Sequence, residues 1–202
     1  MLKRTLLLVL FLFAGRSEAA DLNVVGGQLQ GATSVDIDGV LYDVEFVDGQ
    51  CPALFNGCNE ASDFGTSSAA TAVLFAEALR DQVVIDGSQG NFDSDPGLVA
   101  GCSAGEDECV FINPYGVDAS NSLGVWFYNN ASSADTILTG PAFTPFSFET
   151  GDPFGDGITW ARWSLQATPA VPSGSWSTTL VLLALLSGAG MRAMRTTGPG
   201  RT

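Results

Sequence analysis

Residues 21–166 of the 202-residue chain predict an α+β domain, a mainly antiparallel sheet with one helix packed on a face. Three observations predict it. Residues 33–49 alternate apolar and polar side chains around an Asp-Gly pair. Residues 66–84 form one alanine-rich run of helical character, and residues 108–116, 123–130 and 157–167 read as strands.

In "TSVDIDGVLYDVEFVDG" (33–49), Val35 and Ile37 precede Asp38-Gly39, a pair that tolerates the positive dihedrals of a tight hairpin turn. Val40, Tyr42, Val44 and Phe46 then share one face of the return strand, with Asp43 and Glu45 on the other. In "TSSAATAVLFAEALRDQVV" (66–84), Ser67 or Ser68 can cap the helix by accepting an amide hydrogen bond. Ala70, Val73, Leu74, Glu77 and Ala78 are expected to share its packed side, with Glu77 at the edge. Asp86-Gly87 ends the helix or turns the chain.

The run "ECVFINPYG" (108–116) is expected to enter a turn at its Asn-Pro pair. "LGVWFYNN" (123–130) sets Val125 and Phe127 against Trp126 and Tyr128. "GITWARWSLQA" (157–167) sets Ala161, Trp163 and Leu165 against Ile158, Trp160 and Arg162. The Pro-, Phe- and Gly-rich stretch 139–157 reads as a loop with a short edge strand at Phe146–Phe148.

The ends have another character. Residues 1–20 read as a secretory signal peptide: Lys3 and Arg4, a short apolar run from Leu6 to Ala14, then the small residues Ser17 and Ala19. Cleavage is expected after Ala19 or Ala20, and no cysteine follows the apolar run to accept a lipid. Residues 167–175 are a linker by composition, 176–194 a single membrane helix and 195–202 a basic cytoplasmic tail. The most apolar part, Trp176 to Met191, is sixteen residues, and at ~1.5 Å each it falls short of a ~30 Å hydrocarbon core. Arg192, Arg195 and Arg201 after it belong on the cytoplasmic side, so the domain is expected to face outward.

Charge narrows the partners. Of 22 acidic residues only Glu18 falls outside residues 20–170, and of eight basic residues only Arg80 and Arg162 fall inside, a net charge of −19. Nucleic acid is excluded, because a polyphosphate requires clustered Lys and Arg. Anionic lipid is repelled for the same reason. The 46% hydrophobic content and 10% aromatics support a packed core rather than disorder.

All four cysteines lie in the exported part, as Cys51 and Cys58 in "CPALFNGC" and Cys102 and Cys109 in "CSAGEDEC". Two disulfides fit an oxidising compartment, with local pairing favoured over crossed pairing. A four-thiolate zinc site is the competing reading, although zinc knuckles place only two to four residues between ligands.

The tail resembles a known class. "VPSGSW" (171–176), one weak membrane helix and terminal arginines, on a chain that starts with a signal peptide, resemble the PEP-CTERM sorting tails in their Ile-Pro-Thr-Leu or Val-Pro-x-x-Gly variants. The resemblance rests on Val171, Pro172, Trp176, Arg192 and Arg195, about 30 residues in all; within the motif Ser173 stands where the original has Glu, and Gly174-Ser175 is not a standard continuation. It implies an exosortase-type enzyme that reads the tail, and delivery to the surface or extracellular matrix of a Gram-negative bacterium. Such a protein sits in the inner membrane until it is processed. A plain membrane anchor is the alternative. The domain itself is similar to uncharacterised exported cargo domains, which implies a non-enzymatic surface or matrix role.

Chemistry is sparsely signalled. Without histidine, Ser-His and Cys-His nucleophile systems are absent. Paired carboxylates, as in glycoside hydrolysis, remain available, but nothing nominates two among so many acids. Glu106-Asp107-Glu108 reads as a solvated charge run. Asn91, Asp93 and Asp95 in "NFDSDPG" alternate like the oxygen ligands that open a calcium loop, but Pro96 stands where that loop needs glycine and Cys102 where it needs a bidentate Glu, so an ordinary Asx-rich turn is the favoured reading. Asp152 and Asp156 in "GDPFGDG" are a second weak calcium candidate. Trp126, Tyr128, Trp160 and Trp163 lie on predicted strands, where they either fill the core or present a sugar-binding face to exopolysaccharide.

Overall fold

Turn chemistry sets the first half of the sheet. The computed structural model describes residues 19–103, 105–148, 150 and 157–167. Strands β1 (Asp21–Val25), β2 (Gln28–Ile37) and β3 (Val40–Val47) form an antiparallel meander. Asp38 (φ 53°) and Gly39 (φ 81°) make the β2–β3 turn, and the Asp36 carboxylate accepts the Gly39 amide at 2.7 Å. Positive φ at both central residues twists a hairpin in the sense its strands require.

A short helix α1 (Cys51–Leu54) and a capped 3-10 turn at Ala61–Asp63 lead to the main helix α2 (Ala69–Ala78). Ser68 caps α2 by accepting the Thr71 amide at 3.2 Å, and the helix widens into a π turn over Leu79–Val83. The face it buries matches the expected one only in part: Ala78 is buried and Val73 packs against the core. Ala72, Phe75, Ala76, Leu79 and Val83 are packed, while Ala70 and Leu74 are exposed. In a run this rich in alanine several faces are almost equally apolar. The bulk of Phe75 and Leu79 decides which one meets the sheet.

A two-stranded ribbon, β4 (Asp86–Gly87) and β5 (Gly90–Asn91), precedes the second half. There β6 (Glu108–Val117), β7 (Asn121–Asn130) and β8 (Thr136–Pro145) form another antiparallel meander. Asn113-Pro114 is not a turn, and β6 runs through it. The Pro114 carbonyl accepts the Thr66 hydroxyl at 2.9 Å, and a bulge follows between Pro114 and Gly116. Parallel pairing with the next strand has already ended at Ile112, so the missing amide costs no bond on that side.

β8 takes the first seven residues of the stretch 139–157 expected to be loop, and Phe146–Phe148 forms no strand. Pro141 falls in a bulge, between the pairs Trp126–Leu138 and Gly124–Ala142, on an edge strand where proline is tolerated.

The last strand, β9 (Ile158–Leu165), joins the halves. It pairs antiparallel with β3 and parallel with β6, giving a seven-stranded order β1-β2-β3-β9-β6-β7-β8. The α+β reading holds, with a mostly antiparallel sheet and one principal helix. On the α2 face, Val44, Phe46, Phe111, Val125, Phe127, Ala161 and Trp163 build the main core with Phe75 and Leu79. On the opposite face a smaller core forms from Ile112 and Trp160 beneath Phe55, Phe64 and the Cys51–Cys58 bridge. Strand alternation therefore serves two cores, with β6 apolar on both sides, whereas β3 and β9 carry Asp43, Glu45 and Arg162 on the face away from α2.

Candidate functional site

Both cysteine pairs close locally, as Cys51–Cys58 and Cys102–Cys109, and no described cysteine is free. The crossed pairing and the zinc alternative are thereby overturned, since all four sulfurs are consumed. The second bridge tethers its loop to the sheet through Cys109, while the first closes the turn that follows α1. The first holds Phe55 edge-on to Trp160 at 5.5 Å, and the second holds the loop 103–108 to the start of β6.

The four candidate aromatics separate into two kinds. Trp160 and Trp163 are buried on opposite faces of β9, and each indole N–H is paired. Trp160 donates to the Gly49 carbonyl at 3.0 Å and Trp163 to Asn113 Oδ1 at 2.9 Å. These two are core. Trp126 and Tyr128 are half-buried neighbours on the opposite face from α2, with ring centroids 6.1 Å apart. Across the strand pair they meet Leu138 and Thr136, and Leu138 is 44% exposed.

The "NFDSDPG" loop is organised around a residue outside it. Asp86 Oδ1 accepts the amides of Asp93 and Ser94 at 3.0 Å each, and its other oxygen takes the Ser94 hydroxyl. Those bonds, led by the Ser94 hydroxyl, hold the Asp86 carboxyl below the usual carboxylate range. The Asp95 amide returns to the Asn91 carbonyl at 2.8 Å. This is the geometry of an Asx-stabilised turn. Among the described residues no three Cys, His, Asp or Glu side chains converge as a metal site. Asp152 and Asp156 lie outside the described residues, as do Val171, Pro172, Ser173, Gly174, Trp176, Arg192 and Arg195. No described helix is long and apolar enough to cross a membrane, and the expected membrane helix 176–194 and most of the signal peptide also fall outside.

Two open concavities flank the β7–β8 connection. One, about 520 Å³, is lined by Asp93, Ser94 and the chain from Asn130 to Asp135. The other, about 350 Å³, is lined by Glu108, Tyr128, Asn130, Ser133, Ala134, Thr136 and Leu138. They share Asn130, Ser133 and Ala134, so a polar bowl and an aromatic ledge meet over one ridge. Asp135 anchors that ridge by accepting the Asn130 amide at 2.9 Å. Burial and the nearby Asp93 charge push its carboxyl above the usual range, against the pull of that amide and of Arg80. Burial and the Glu108 charge likewise push the Tyr128 phenol up. Glu106 and Asp107 are exposed beside Glu108, as a solvated charge run should be.

A third acid is displaced elsewhere. The Asp48 side chain is largely exposed, yet its carboxyl tip lies against Thr159 and Thr150. There burial raises its pKa more than the two hydroxyls lower it. Gly101, at φ +84°, leaves room for that tip, since a Cβ there would lie 2.5 Å from Asp48 Oδ1.

Of the four predicted aromatics, then, the structure leaves two half-buried, and only Tyr128 lines a concavity, beside Glu108, Asn130, Ser133 and Thr136, while Trp126 packs against the smaller core. The ridge 131–135 was not nominated by the sequence; its only signal is the "NNASSAD" cluster of turn residues (129–135). The chain matches no family model, no curated protein and no solved structure.

Proposed function

We propose that the chain is an exported, non-enzymatic cell-surface or extracellular-matrix protein of a Gram-negative bacterium, delivered by its C-terminal sorting signal. The closed pairs Cys51–Cys58 and Cys102–Cys109 carry this reading. Disulfides of this kind persist in oxidising compartments and are rare where thiols are kept reduced. The signal peptide at 1–20, the "VPSGSW" motif and the arginines that follow the membrane helix supply the route. A surface with net charge −19 over residues 20–170 remains soluble and non-sticky outside the cell.

Fractionation of native cells tests the route. Pro172→Ala with Trp176→Ala is expected to retain the protein in the inner membrane while the unaltered protein reaches the surface or medium. Equal distribution of the two proteins would refute the sorting role of the motif.

A second reading, an adhesion module for polysaccharide, is favoured by the half-exposed Trp126–Tyr128 pair. A hydrolase using paired carboxylates would instead show glycan cleavage lost in Asp135→Asn or Asp93→Asn, which would overturn the non-enzymatic assignment.

A further inference from the structure

We propose that the ledge formed by Tyr128 and Leu138, with Glu108, Asn130 and Thr136 at its border, binds a neutral glycan. This deepens the adhesion reading and rests on it. The geometry supplies both halves of sugar recognition. A pyranose has an apolar C–H face and a rim of hydroxyls, and binding it takes a flat apolar surface edged by hydrogen-bonding groups. Tyr128 stands directly across the strand pair from Thr136, and Trp126 stands across from Leu138. On the other flank Glu108 pairs with Asn130, which places a carboxylate and an amide at the same end of the ledge. The open concavity of about 350 Å³ lies within the size range of small-ligand sites and continues over the ridge into the 520 Å³ bowl. A glycan longer than one ring thus finds a continuous track past Asn130 to Asp93 and Asp135.

Charge selects the class of glycan. Only Arg80 and Arg162 are basic between residues 20 and 170. Both are already engaged: Arg80 Nε meets Asp81 at 2.7 Å, and Arg162 Nε meets Glu45 at 3.2 Å. No cation is therefore free among the described residues to receive a uronate, sulfate or phosphate. Glu108, Asp93 and Asp135 would repel one. Carboxylates are good acceptors for sugar hydroxyls, so the same groups that reject an acidic polymer favour a neutral one.

Affinity electrophoresis of the full-length chain in a sugar-free detergent tests this. The gels carry dextran, galactomannan or the uronic-acid polymer alginate. The expected result is retardation by a neutral polymer and none by alginate. Tyr128→Ala and Leu138→Ala should each weaken binding about tenfold, a factor that corresponds to ~1.4 kcal/mol. Leu165→Ala, an exposed apolar residue on the opposite face, should leave binding unchanged, and circular dichroism verifies that each variant is folded. Absence of binding to every polymer would overturn the adhesion reading itself. Preference for alginate would overturn the neutral class. Neutral binding that ignores both Tyr128→Ala and Leu138→Ala in folded protein would overturn the site alone.

Discussion

The indole N–H of Trp163 on β9 donates to Asn113 Oδ1 on β6 at 2.9 Å, and both residues are buried. The Asn113 amide nitrogen reaches on to the Val125 carbonyl of β7 at 3.4 Å. One side chain thus links three strands inside the main core, where an unpaired polar group is costly.

Asn113→Ala leaves the Trp163 N–H without its acceptor and is expected to lower stability by about 1–3 kcal/mol. Trp163→Phe alone should also destabilise, through the lost bond and the lost ring volume. Adding Asn113→Ala to that variant should then cost less than it does alone. A double-mutant cycle by urea unfolding reads the coupling. Strict additivity would show that the bond contributes nothing.

The two tryptophans on the opposite face should respond differently to the same substitution. Among the described residues the Trp126 indole N–H is buried without a partner, whereas Trp160 donates to Gly49. Replacing an unsatisfied donor by an apolar ring is close to neutral, so Trp126→Phe is expected to fall within ~0.5 kcal/mol of the unaltered protein. Trp160→Phe removes a satisfied donor, orphans a carbonyl and opens a cavity, at a cost of about 2–3 kcal/mol. Equal losses in denaturant titration would contradict the distinction.

Reduction should be felt locally first. The Cys51–Cys58 bridge closes a short loop, for which the chain-entropy model gives roughly 2–3 kcal/mol. Cys51→Ala with Cys58→Ala is expected to lower stability by that amount. It should also red-shift emission from Trp160, which packs against Phe55 under the bridge. The equivalent change at Cys102 and Cys109 should leave Trp160 emission unshifted. A common response to both changes would mean that the small core does not depend on its own bridge.

The pH optimum for stability is expected on the acid side of neutrality. Asp63, Asp86 and Asp118 are held below the usual carboxylate range by hydrogen bonds. Their contribution is present above an unfolded pKa of ~3.9 and is lost as pH falls through the lower folded values. Asp48 and Asp135 are raised, chiefly by burial, and have the opposite sign. Their contribution is complete below the unfolded pKa and is lost as pH rises through the folded values. Self-repulsion at net charge −19 adds to that loss. The thermal midpoint should peak near pH ~4.5 and fall toward neutrality, and Asp135→Asn should flatten the fall. Added salt should raise the midpoint at neutral pH by screening. A midpoint that climbs steadily to neutrality would contradict this assignment.

What the sequence disclosed was local. Asp38-Gly39 marked its hairpin because few other pairs accept positive φ twice, and the matched cysteine spacings marked two loops short enough to close on themselves. The alternation of Val125 and Phe127 against Trp126 and Tyr128 separated the two pairs onto opposite faces, without saying which of them would be half-exposed. What it concealed was non-local. Nothing in Ile158–Leu165 says that this strand is inserted between β3 and β6, because its partners are set by packing at long sequence separation. Pro114 and Pro141 read as breakers, yet each sits where its missing amide has no strand to pair with. The ledge was half legible. Tyr128 follows from strand parity, but the polar border of Glu108, Asn130 and Thr136 depends on which strands pair and in which register, which no local pattern encodes.

The central claim is that an oxidised, exported domain is delivered by a tail that is read at "VPSGSW". Intact mass with C-terminal peptide mapping, on protein recovered from native cells and their medium, tests it most directly. The expected species lacks the signal peptide, keeps both disulfides and ends between Val171 and Trp176, either free or carrying a covalent addition. A chain that still ends at Thr202 and is confined to the inner membrane would contradict delivery to the surface and leave the tail a plain anchor.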